Sequence, residues 1–120
     1  MSTKDNLKGF TLHFLKLFIA IGFEVFATSF LKLSQGFSVV IPSTLSILGY
    51  ICSFYFLSQA LKVLPVSVAY TIWSGLGTLG IFLVGLAFFN EKLSSVQILG
   101  IVLVISGAIL LHWGGEKAFS

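Results

Sequence analysis

Charged positions divide the chain into long apolar runs. Residues 33–61, 63–90 and 93–115 carry no Asp, Glu, Lys or Arg, and Lys62 and the Glu91-Lys92 pair separate them. A helix rising about 1.5 Å per residue needs about 20 apolar residues to cross the hydrocarbon core, so each run is long enough. A fourth run, 17–31, is interrupted only by Glu24. It reaches membrane length if the helix starts near Phe10 or Leu12 and Lys16 snorkels towards the headgroups. The pattern predicts four transmembrane helices at about 11–31, 41–61, 67–88 and 94–113, flanked by an N-terminal extension (1–10) and a tail (114–120). The connectors are short: Ser34-Gln35-Gly36, Lys62 to Pro65, and Asn90-Glu91-Lys92. Neighbouring helices should therefore run antiparallel. Pro42 and Pro65 fall at the starts of helices two and three, where a missing amide hydrogen costs little.

Composition turns this pattern into a fold class. The chain is 57% hydrophobic and 9% charged, against about 25% charged in soluble domains, and its mean hydropathy is +1.05. An all-α membrane protein is expected, with the lipid bilayer as its solvent. Seven lysines and four acids give a net charge of +3, too scattered to track nucleic acid. Intrinsic disorder requires the opposite composition. Cys52 is the single cysteine, so it forms no intrachain disulfide and reads as a packing residue. His13, His112 and Trp113 lie where helices meet headgroups. The histidines lack ligand spacing, so no metal or cofactor is expected, and nothing marks an enzyme. Lys4 and Lys8 before an apolar run imitate a signal peptide, but Glu24 within that run argues against one.

Glu24 is the informative residue. It stands eight residues from both Lys16 and Lys32, about 12 Å along the axis from either, near mid-membrane. A charge there costs about 2.5–3.5 kcal/mol on insertion scales and must face the bundle interior or a cavity. No Lys, Arg or His on another helix lies at matching depth. The carboxyl therefore binds either a proton or a cation that arrives from outside. A site that holds one or the other couples the two by linkage. Ala20, Ala27 and Thr28 share its helical face and are small enough to leave room beside it.

Aromatic stripes supply the rest of a cation site. Tyr70, Trp73 and Ser74 lie on one face of helix three, and Tyr50, Phe54 and Leu57 form a stripe on helix two. Aromatic faces attract desolvated organic cations, quaternary ammonium above all. Gly75 and Gly77 mark a hinge in helix three or a close helix contact. Gly100, Gly107 and Ala108 give helix four a small-residue seam without binding chemistry, which reads as a dimer interface. Secondary transporters commonly build a mid-membrane site between two repeats. Four helices without an internal repeat are too few, and a second copy would supply the other half. Lys4, Lys8, Lys16, Lys62 and Lys117 lie on the side of the termini and Lys32 and Lys92 on the other, a bias for termini inside. Without the lysines up to Lys16 the two sides balance.

Together these residues resemble the small multidrug resistance family of four-helix bacterial exporters. The resemblance is carried by Glu24-Val25-Phe26-Ala27-Thr28, Leu31-Lys32, Gly36-Phe37, Pro65, and Ala69-Tyr70-Thr71-Ile72-Trp73-Ser74-Gly75-Leu76-Gly77, with the Gly100 and Gly107 spacing. It covers residues 17–113. It implies an antiparallel homodimer in the bacterial inner (plasma) membrane that exchanges protons for hydrophobic cationic drugs. In that scheme Glu24 is the shared proton and substrate carboxylate, and Tyr70 and Trp73 are aromatic contacts. Tyr50, Phe54 and Leu57 line the pocket with Ser74 beside them, and Gly75 and Gly77 form the bend. Ala27, where the family's guanidinium exporters tend to carry Trp, points to the quaternary-ammonium type. Three alternatives stay open: one subunit of an obligate heterodimer, a carrier of small cationic metabolites such as polyamines, betaine-like compounds or guanidinium, and a non-transporting scaffold.

Overall fold

The computed structural model describes residues 3–119, without the side chains of 3–8, 10, 112 and 115–119. His112, Lys4, Lys8 and Lys117, singled out above, thus lie outside the described side chains. Four helices follow one another: α1 (Thr3–Leu33), α2 (Val40–Ala60), α3 (Val66–Phe88) and α4 (Ser95–Phe119). No strand occurs among the described residues. The all-α membrane architecture expected from the charge pattern is the one observed. The outer ends of α1 and α4 continue beyond the apolar runs, to Thr3 and Phe119. Charges end the part of a helix that lipid accepts; they do not end the helix. Thr11–Leu33, Val40–Ala60 and Val66–Phe88 are long and apolar enough to cross a membrane, and the fourth apolar stretch, Ser95–Leu111, is shorter.

α1 is the central element, with α2 on one side and α3 on another. Its join to α2 is organised by the buried Ser34, whose carbonyl accepts the amides of Ser38 (2.9 Å) and Val39 (3.0 Å) and whose hydroxyl accepts that of Phe37 (3.1 Å). Gln35, Gly36 and Phe37 all have positive φ there, and glycine adopts such a backbone without a Cβ penalty.

Small residues draw α1 and α2 together. Ser46 donates to the Ala27 carbonyl (2.9 Å), and Ser53 to that of Ala20 (2.7 Å). Between them, a Cβ at Gly49 would stand 2.8 Å from the Ala27 Cβ. Below this seam Leu17 and Ile21 of α1 pack with Ala60, Leu64, Val68, Ala69 and Ile72 into the apolar core. α3 approaches α1 through Gly80, which admits Val25.

α4 lies outboard and packs on α3, where Gly75 admits Ala108. Its start is fixed by a capping box: Ser94 N–H donates to Gln97 Oε1 (2.8 Å) and Gln97 N–H to Ser94 Oγ (3.2 Å). Most of its apolar side chains are exposed, among them Val96, Leu99, Leu103 and Leu110.

Candidate functional site

Glu24 projects from the middle of α1's membrane span towards α3. Its Oε1 accepts a hydrogen bond from Thr28, one turn on (3.3 Å). The Thr28 hydroxyl also meets the Tyr50 hydroxyl from α2 at 2.6 Å. When Thr28 spends its proton on Glu24, Tyr50 must be the donor to Thr28. When Glu24 is itself protonated, the order can reverse. Three side chains on two helices thus form a hydroxyl chain that accommodates either state of the acid.

The other oxygen is different. Oε2 is buried and has no hydrogen-bond partner among the described residues. It lies over Gly77, where a Cβ would stand only 3.1 Å away, and the Trp73 indole borders the same gap. An ionised oxygen buried without a partner costs more than the about 1–3 kcal/mol of a neutral polar group. Protonation of the carboxyl or a cation beside it would each relieve that cost. Aromatic rings lie nearby: Tyr50 stacks on Phe54 (centroids 6.3 Å), and Phe54 meets Trp73 at 5.8 Å.

Of the residues singled out in the sequence, Glu24, Thr28, Tyr50, Phe54, Trp73 and Gly77 are brought together. Leu57 packs against the apolar core beside Trp73. Tyr70 is 66% exposed and Ser74 is exposed, both outside the Glu24 hydrogen-bond chain. Ala20 and Ala27 have no exposed surface, being covered by α2 through Ser53, Ser46 and Gly49. Gly75 and Gly77 sit within an unbroken α3 and face different neighbours, Ala108 of α4 and Glu24 of α1. Ala108 is thereby engaged within the chain, whereas no atom of the described residues lies within 4 Å of a Cβ built on Gly100 or Gly107.

Sequence reasoning passed over the α2 seam. Its signal was present in Ser43, Ser46, Gly49, Ser53 and Ala60, the buried residues of α2, which recur at helical spacing. It also passed over the pairing of Lys32 with Glu91 (3.2 Å), which joins positions 59 residues apart.

Comparison with known proteins adds an independent line. The family model described as Small Multidrug Resistance protein matches residues 12–104. The quaternary ammonium compound-resistance protein QacG of Staphylococcus sp. (strain ST94) is 38% identical over 106 residues, covering 88% of this chain and 99% of its own. QacE of Escherichia coli, of the same description, is 46% identical over 96 residues, 80% of this chain and 87% of its own. The multidrug resistance protein EbrA of Bacillus subtilis (strain 168) is 41% identical over 97 residues, 81% and 92% of the two chains.

Proposed function

The chain belongs to the small multidrug resistance family, and from that premise we propose that it is a proton-coupled antiporter exporting hydrophobic quaternary ammonium cations. Membership makes it a multi-pass protein of the bacterial inner membrane and an efflux-type transporter. The finer reading is supported by one observation, the buried Glu24 Oε2 that makes no well-formed hydrogen bond among the described residues and lies beside an indole. A proton satisfies that oxygen in one state and a cation in the other, and the Thr28–Tyr50 hydroxyls adjust to both. The aromatic faces of Trp73 and Phe54 replace the water that a hydrophobic cation leaves behind.

Two copies complete the transporter. The open Gly100 and Gly107 positions on α4 supply the seam by which they join, antiparallel to each other. Tyr70, Ser74, Tyr50 and Leu57 then line a cavity that both copies share. The two Glu24 carboxyls titrate as a pair. Flexing of α3 at Gly75 and Gly77 lets the subunits exchange shapes, opening the cavity alternately to either side.

The test is binding of tetrabutylammonium to purified protein across pH, with proton release recorded in weak buffer. Proton and cation compete, so affinity falls as pH falls, by up to about tenfold per pH unit for one displaced proton. Cation binding releases protons. Glu24→Gln should remove the pH dependence and the proton release together while the protein stays folded. Proton-coupled uptake by proteoliposomes of that variant would refute the proposal.

A further inference from the structure

Beyond Thr28, α1 ends against the link between α3 and α4. Asn90 has φ +54, the Glu91 amide donates to the Gly85 carbonyl (3.0 Å), and the Glu91 carboxylate lies on Gly85, where any side chain would collide with it. Glu91 is thus held against α3 by its own backbone. Lys32 Nζ sits 3.2 Å from its Oε2 and 4.8 Å from the centroid of the Phe89 ring. These groups, with Thr28 and Ser29, border a cleft of about 90 Å³.

Carboxylate and ring form the same recognition kit as Glu24 and Trp73, about 12 Å further along α1. The difference lies in occupancy. Here an ammonium is already seated, and it is the chain's own. Its hold is weak: both partners are about half exposed (55% and 49%), and exposed ion pairs contribute little. Thr28 belongs to both places, bonded to Glu24 and bordering the cleft.

We propose that this cleft is an outer binding site for small ammonium head groups, in which Lys32 is a tethered occupant that an arriving cation displaces. The inference rests on the reading above, that the chain handles organic cations. An outer site beside the inner one would receive a cation before, or after, its stay at Glu24. It would favour small heads over bulky ones, because the cleft is small.

The experiment uses full-length protein carrying Glu24→Gln, which silences the inner site, and tetramethylammonium as probe, followed by NMR line broadening. A weak site should remain. Lys32→Met on this background should tighten it about tenfold by removing the competitor, and Glu91→Gln added to that should abolish it. Phe89→Leu alters neither charge nor fold-critical polar groups, and should weaken probe binding at least threefold in the Lys32→Met background. A simple change of net charge would leave that last comparison unmoved. Unaltered binding in the Lys32→Met variant, or equal binding with Phe89 and Leu at position 89, would overturn the proposal even if wild-type protein shows proton-coupled binding. Conversely, a wild-type protein that binds cations without pH dependence, together with the expected series at Lys32, Glu91 and Phe89, would sink the antiport reading and leave the outer site standing.

Discussion

α1 meets its two neighbours in opposite ways. Against α2 every polar group is answered: Ser46 and Ser53 give their protons to the carbonyls of Ala27 and Ala20, and Gly49 closes the remaining distance. Against α3 glycine again allows a close approach, but at Gly77 it admits a carboxylate oxygen that makes no well-formed hydrogen bond among the described residues. One glycine contact seals a seam, and the other shelters a buried carboxylate oxygen. Small residues in membrane helices therefore have no single meaning, and the neighbour each one faces decides it.

Parallel substitutions at the two glycines should separate these roles. Gly49→Val forces branched carbon into the 2.8 Å gap above Ala27, and overpacking of this kind costs about 3 kcal/mol. Thermal unfolding in detergent should show a large loss, with ligand chemistry irrelevant to it. Gly77→Ala brings a methyl near Glu24 Oε2 while improving helix propensity by about 1 kcal/mol. Stability should hold or rise, and cation affinity should drop about tenfold in a binding titration. If Gly77→Ala instead unfolds the protein, the contrast between the two faces fails. Ser53→Ala tests the sealed face more gently. Loss of its 2.7 Å bond to Ala20 should cost about 1 kcal/mol, read from the unfolding midpoint, with cation affinity unchanged. The smallest effect on the chain itself is expected at Gly107→Leu, where no atom stands in the way, with stability kept within about 0.5 kcal/mol. Its effect should appear in cross-linking and sedimentation instead, as loss of the dimer proposed above.

Much of this was legible in the residues alone, for physical reasons that also explain what was not. Lipid imposes a strong rule on charge, so the spans, and Glu24 as their exception, stand out without a structure. Tyr50, Phe54 and Trp73 stood out because rings suit an organic cation, whereas Thr28 read only as a small neighbour and its hydroxyl contacts with Glu24 and Tyr50 were not visible. Periodicity, however, assigns residues to a face without naming the helix opposite. Ala20 and Ala27 share the Glu24 stripe and were expected to leave space beside it, whereas α2 covers them completely. Gly75 and Gly77, two residues apart, looked like one device and face α4 and α1 respectively. Glu91 and Lys92 read only as a connector, because no local pattern announces a partner on a distant helix.

The position of Trp73 has a practical consequence. It is one of two tryptophans in the chain and shares its gap with the Glu24 oxygen, while Trp113 stands exposed on α4. With Trp113→Phe, ultraviolet emission would come from a single indole at the carboxyl. Its response to acid and to added quaternary ammonium cation could then be followed in real time by fluorescence, without attaching a dye.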